Sequence, residues 1–272
     1  MSFLYEPYWK LLPVWLAQEY GSRRIGGRVL NDIVWGQYCL FKAIRIQDDL
    51  FDGHADSPSL IYVSDQFLIE AERVFAKHFE KSSPFWRHYR SALRITTQAI
   101  VEVDALQKKP GVSPHRLLNL FPQVNSIFSI GPLAVSAAVR GLAKHRQRIF
   151  RLTRSFAIIG QVVDDFKDLK QDLDRKRYNY VAACLLSKRR RWRGRKGIAA
   201  HISQRLLNPA ETSRLFRVMY REFEQAEKDL RALLSEHQEA LCYLHNYRLS
   251  VEKLEKELHI QRVRFLLQNL RA

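Results

Sequence analysis

Two short stretches of the chain carry residues able to do chemistry: "IRIQDDLFDG", residues 44–53, and "GQVVDDFKDLKQD", residues 160–172. Both contain the pattern D-D-x-x-D. The first supplies Asp48, Asp49 and Asp52; the second supplies Asp164, Asp165 and Asp168, with Asp172 one turn further on. On a helix, residues i and i+4 project from one face, so Asp48 and Asp52 point together and Asp164, Asp168 and Asp172 form a column. Asp49 and Asp165 sit about 100° round from those columns. Carboxylates stacked one turn apart repel each other, and aspartate is a mediocre helix former, so such columns cost stability or take up protons unless a cation joins them. A hard divalent cation suits oxygen ligands. Mg²⁺ in particular is held by one or two carboxylates together with phosphate oxygens and water. The chemistry implied is a Mg²⁺-bridged polyanion, and a diphosphate fits.

The simpler account, a solvated acidic helix face, has two observations against it. At average aspartate usage, one D-D-x-x-D arises by chance in on the order of one chain in twenty, and two in on the order of a few per thousand. Both motifs also continue helices that are apolar nearly all round, "DIVWGQYCLF" and "FAIIGQVV", and such helices are buried. The two clusters are therefore expected to face inward, on separate helices of a bundle, with a shared metal site between them. Lys167, Arg175, Lys176 and Arg177 lie beside the second motif as candidates for the remaining phosphate oxygens.

The elements that must position these residues read as helices throughout. The chain has 272 residues, 46% of them hydrophobic, with only 11 Gly and 9 Pro, and its apolar residues recur at a period near 3.6. One all-α domain spanning 1–272 follows, with helices over 8–20, 28–52, 60–80, 84–107, a segment 114–142 broken at Pro122 and Pro132, and 145–187, 209–236 and 239–270. The formal net charge of +17 implies anionic partners. The densest basic stretch is "SKRRRWRGRKG", residues 187–197, which reads as a solvated, mobile loop, a lid over an anionic ligand, or a patch for anionic lipid or nucleic acid. Basic and aromatic residues do not interleave elsewhere, which argues against nucleic acid as partner. Cys39, Cys184 and Cys242 stand singly in apolar contexts and read as reduced core thiols of a cytoplasmic protein. The amino terminus has no signal-peptide pattern, and no window reaches the roughly 20 apolar residues of a spanning helix, so membrane contact is expected to be peripheral.

The order of the two motifs, more than a hundred residues apart, with "RYNYVAACLL" after the second, resembles the class I isoprenoid synthases: the trans-isoprenyl diphosphate synthases and the class I terpene synthases. The resemblance covers residues 28–186. It implies an all-α bundle around a central apolar cavity, with the motifs on opposite walls of its mouth. Up to three Mg²⁺ ions held by the motif aspartates would bridge to an allylic prenyl diphosphate, with Asp48, Asp49 and Asp164 closest to the chemistry. Lys167, Arg175, Lys176, Arg177 and Tyr178 would hold the diphosphate. Trp35, Tyr38, Phe121, Phe128 and Phe156 would line the cavity and stabilise a carbocation. A helix break at Gly131-Pro132 is similar to one that in terpene synthases aims carbonyl dipoles at the cation.

Departures separate the members of that superfamily. Chain-elongating synthases carry paired arginines after the first motif, and here no Arg follows Asp52 until Arg73. They carry a Lys-Thr pair before the second motif, where this chain has Val124-Asn125. Their amino-terminal Gly-Lys-x-x-Arg segment has only a loose counterpart in "GSRRIGGR". The expectation is a terpene synthase, with room for a homodimer. A short trans-prenyltransferase and a non-catalytic basic helical binding protein are the alternatives. The Arg-Tyr pair of terpene synthases has only the reversed Tyr247-Arg248 as counterpart.

Overall fold

The structure is a computed structural model and describes residues 7–21, 25–51, 53, 55, 57–109, 111–139, 141–186 and 195–269. Its regular elements are helical: α1 (Tyr8–Gly21), α2 (Gly27–Phe51), α3 (Leu60–Ala76), α4 (Pro84–Gln107), α5 (Pro114–Val124), α6 (Ile130–Ala138), α7 (Arg146–Lys167), α8 (Leu169–Asp174), α9 (Tyr180–Leu185), α10 (Arg195–Leu206), α11 (Pro209–Leu233) and α12 (Gln238–Asn269). Short 3-10 turns at Ser126–Ser129 and Ala143–His145 lead into α6 and α7. The all-α reading is therefore correct.

Local chemistry sets several of the starts. Proline opens α4, α5 and α11, where its missing N–H has no intrahelical acceptor to lose. Ser83 Oγ accepts from the Phe85 N–H at 3.3 Å, and Asn208 Oδ1 accepts from the Ala210 N–H at 3.0 Å. Asn179 caps α9 in the same way, accepting from the Ala182 N–H at 3.0 Å.

Three boundaries differ from the sequence expectation. The segment 114–142 breaks at 125–129 and not at its prolines. Pro122 lies inside α5, and Pro132 lies in the first turn of α6, a position that tolerates proline. The stretch 145–187 is three helices, because α7 ends at Asp168 and Lys176 takes a left-handed conformation, φ 61°, after α8. Helix α10 has no counterpart in the sequence expectation. Its sequence "RKGIAAHISQRL" mixes charges, a glycine and apolar residues without a clear stripe.

Helix α7 supplies the middle of the core. Ile149, Leu152, Phe156, Ile158, Ile159 and Val162 are buried along it, and it packs mainly against α11 and α5. Helices α2 and α3 form a hairpin so close that a Cβ at Gly36 would stand 2.8 Å from the Phe75 ring. The 125–129 break is held by side chains. Thr96 Oγ1 accepts from the Ile127 N–H at 3.2 Å, and Gln37 Oε1 accepts from the Gly131 N–H at 2.6 Å while Gln37 Nε2 donates to the Ile127 carbonyl at 3.3 Å. The three cysteines are free: Cys39 buried, Cys184 half-buried and Cys242 exposed. No helix among the described residues is long and apolar enough to cross a membrane.

Candidate functional site

The carboxyl ends of α2, α4 and α7 gather at one end of the molecule. Lys108, which caps α4, lies over the ring of Phe51 at the end of α2, 5.9 Å from its centroid. The Tyr178 N–H donates to the Gln107 carbonyl at the end of α4 (2.7 Å), and the next residues, Asn179 and Tyr180, bond to Asp165 near the end of α7. Asp48 and Asp49 thus sit in the last turn of α2 and Asp164 and Asp165 in the last turn of α7, at the same end of the molecule. This is where the helix macrodipole is negative, and each carboxylate there costs about 0.3–1 kcal/mol unless a cation offsets it.

Arg45 lies one turn before the first motif on α2. Its guanidinium lies 3.4 Å from Asp48 Oδ2 and 3.0 Å from Asp49 Oδ1, and its charge also reaches Asp164 across the mouth. The carboxyls of Asp48, Asp49, Asp164 and Asp168 are open to solvent in whole or in part, so the expectation that both clusters are buried is corrected: α2 and α7 each bury one face, which reaches Ala43 and Val163, and these aspartates lie beyond or off it. Crowding by protein around Asp164 raises its carboxyl above the ordinary range, with Lys167, 3.6 Å away, pulling the other way. Asp52 lies outside the described residues, as does 187–194, the greater part of the basic stretch.

Asp165 differs from its neighbours. It is buried, its Oδ2 accepts from the Tyr180 N–H at 2.7 Å and its Oδ1 from Gln161 Nε2 at 3.0 Å. Burial pushes its pKa up to about 7, against those two hydrogen bonds. Its geometry is that of a support that seats the start of α9 against α7. Asp172 accepts from Asn179 Nδ2 at 2.8 Å, and the same amide nitrogen donates to the Asp165 carbonyl at 2.8 Å, so Asp172 is turned toward this support as well. Among the described residues no group of three or more His, Cys, Asp or Glu side chains is close enough to hold a metal ion.

The basic candidates divide. Lys167, Arg175 and Lys176 are exposed around the mouth, whereas Arg177 is drawn to α4, its Nε 3.3 Å from Gln107 Oε1 and its Nη2 3.9 Å from Asp104 Oδ1. Tyr178 is tied by its backbone to the same turn. The aromatic candidates divide too. Trp35 is 45% exposed, donates to Glu70 Oε1 at 3.3 Å and stacks on Tyr38 at 5.5 Å, on the side of α2 that faces α3 and solvent. Phe121 is buried against Tyr180. Phe128 and Phe156 both meet Tyr8 of α1, with Phe156 stacked on it at 4.6 Å. Gly131 has no room for a side chain, with Pro13 and Gln37 each 3.0 Å from a Cβ placed there, and its N–H is taken by Gln37.

The structure adds residues that motif spacing does not reveal. Tyr247 of α12 lies beside α7, its hydroxyl 3.6 Å from a Cβ placed at Gly160, and both burial and the Asp164 carboxylate raise its phenol pKa. Ring contacts continue inward from it through Tyr243 (6.4 Å) to Phe156 (6.1 Å) and Tyr8 (4.6 Å). A row of packed rings, Tyr8 and Phe156 buried and Tyr243 and Tyr247 half-buried, therefore runs along α7 toward Asp164. Arg248 turns the other way, over the Tyr220 ring and toward Glu252. Arg45, Asp104 and Lys108 complete the charged mouth; each stands near a helix end that the sequence does place. Clefts of about 440 and 400 Å³ lie along α11 and α12. Compared with known proteins, the chain matches no family model, no curated protein and no solved structure.

Proposed function

We propose that the chain is a Mg²⁺-dependent terpene synthase of the class I isoprenoid synthase kind, acting on an allylic prenyl diphosphate. The observation that carries the reading is that Asp48, Asp49 and Asp164 end their helices at one end of the molecule, with the charge of Arg45 acting on both Asp49 and Asp164. Asp48 and Asp49 on one side and Asp164 and Asp168 on the other are the oxygen donors that suit Mg²⁺. When bound there, Mg²⁺ supplies Lewis-acid neutralisation of the diphosphate leaving group. Arg45, Lys108, Lys167, Arg175 and Lys176 offer donors for the remaining oxygens. The allylic C–O bond breaks, its electron pair leaves with diphosphate, and the carbocation then loses a proton or takes up water. The packed rings Tyr247, Tyr243, Phe156 and Tyr8 support the reading by placing π faces beside Asp164, where a cation would form. Asp165 and Asp172 act in this scheme as positioning residues, through Asn179 and the start of α9.

The test is diphosphate release from allylic prenyl diphosphates by Asp48→Asn and Asp164→Asn variants. Each is expected to lose roughly a hundredfold or more of turnover with unchanged helical circular dichroism. Full activity in either variant overturns the assignment.

A further inference from the structure

The end of the molecule away from the aspartates carries the opposite charge. Arg87, Arg90 and Arg94 share one exposed face of α4, at i, i+3 and i+7. Arg146, which opens α7, bonds His88 Nδ1 of α4 through Nη2 at 2.6 Å, and so joins that face to its own neighbour Lys144. The cations are close enough to act on one another: burial first, then Arg146 and Arg87, lower the pKa of His88. Among the described residues, none of these five cations has a carboxylate within ion-pair distance. The acid nearest this part of α4 is Glu72 of α3, whose charge reaches the buried Tyr89 on the opposite side of the helix from the three arginines. Neither α4 nor α7 has an acidic residue in its first turn, so the positive ends of both macrodipoles add to the patch. Phe150, 39% exposed, lies under the Arg146 guanidinium at 5.5 Å.

A helix advances about 1.5 Å per residue, which puts Arg146 about 27 Å from Asp164 along α7 and Arg87 about 30 Å from Gln107 along α4. No arginine side chain spans that, so these cations serve a different anion from the one at the mouth. We propose that this basic end is a docking surface for a bilayer containing anionic lipid. Guanidinium groups beside an exposed ring match a headgroup layer, where the charge meets phosphate and the ring meets the acyl boundary. Docking by this end also keeps the acidic mouth pointing away from a negative surface. A single-stranded nucleic acid would call for several rings on which successive bases stack, and the described residues of the patch offer Phe150 alone. The inference does not rest on the chemistry proposed for the mouth.

The test is co-sedimentation of the full chain with phosphatidylcholine vesicles, with and without phosphatidylglycerol, at physiological salt. The chain is expected to pellet only with the anionic vesicles. The triple variant Arg87→Glu, Arg90→Glu, Arg94→Glu should lose roughly a hundredfold in partition. A control with the same change in net charge, Lys253→Glu, Lys256→Glu, Arg264→Glu on α12, should keep binding within a few-fold. Equal loss in both triples reduces the effect to net charge and overturns the surface. Retained binding in the α4 variant overturns it as well. A DNA duplex shift lost in the α4 variant, without vesicle binding by the wild type, assigns the patch to nucleic acid and refutes the lipid assignment.

Discussion

Burial raises the Asp165 carboxyl well above the ordinary carboxylate range, and replacing it with asparagine tests that reasoning. Its pKa of about 7 in the folded chain stands against an ordinary value of 3.8, and burial is the cause. The folded state therefore holds a proton that the unfolded chain releases. Stability from this residue is fully present below about pH 3.8, is lost as pH rises toward about 7, and is level above that. The slope is about 1.4 kcal/mol per pH unit, on the order of 4 kcal/mol in all. The asparagine in Asp165→Asn is isosteric with the neutral acid. Its Oδ1 keeps the Tyr180 N–H, and Gln161 turns its amide over to accept from the new amide nitrogen. Urea unfolding of wild type and Asp165→Asn in EDTA, at pH 5, 6, 7 and 8, isolates the residue, because other groups cancel in the difference. The asparagine variant should gain on wild type by about 1.4 kcal/mol per unit up to about pH 7 and then run parallel to it. Asp165→Ala should instead destabilise by about 1–3 kcal/mol at pH 5, since the buried Tyr180 N–H loses its acceptor. A wild-type–asparagine difference independent of pH would refute the reasoning.

Tyr8 has a buried hydroxyl without a hydrogen-bond partner among the described residues, so Tyr8→Phe should stabilise by about 1 kcal/mol, raising Tm by roughly 2–4 °C in a scanning calorimeter; a lower Tm would reveal a bond to that hydroxyl. Gly36→Ala should cost about 1–3 kcal/mol in urea unfolding, because the added methyl meets the Phe75 ring at 2.8 Å; an unchanged midpoint would mean α3 shifts freely. Gln37→Leu removes both contacts that hold the helix break and leaves the Gly131 N–H and Ile127 carbonyl buried without it, at a cost of about 2–4 kcal/mol; a neutral result would contradict Gln37's place in the break.

Helix content is legible because prolines and caps mark the starts of α4, α5 and α11, and because long apolar runs such as "FAIIGQVV" admit only burial. The ends are less legible. Where α7 stops depends on Asp165 and Asn179 binding each other across 14 residues, a tertiary choice that helical periodicity does not encode. The same holds for the true break at 125–129, which Thr96 and Gln37 select by supplying polar partners, while the more visible Pro132 falls in a first turn that accepts it. In the candidate site, the two acidic segments and their place at helix ends are readable from their repeated pattern. The inward turn of Asp165, the outward position of Trp35 and the approach of Tyr247 to Asp164 are not, because a shift of one residue around a helix rotates a side chain by about 100° and only packing fixes which way it faces.

The central claim is that the acidic mouth ionises an allylic diphosphate. Its most direct test is incubation of the full chain with allylic diphosphates of ten, fifteen, twenty and twenty-five carbons, in Mg²⁺ and in EDTA, with and without isopentenyl diphosphate. The measurement is released diphosphate together with the organic product. The account predicts that at least one substrate gives diphosphate and an equimolar hydrocarbon or alcohol, only with Mg²⁺ and without need of isopentenyl diphosphate. Release from none of them, or release that persists in EDTA, would contradict it, and a longer diphosphate formed only with the isopentenyl partner would replace the synthase with a chain-elongating enzyme.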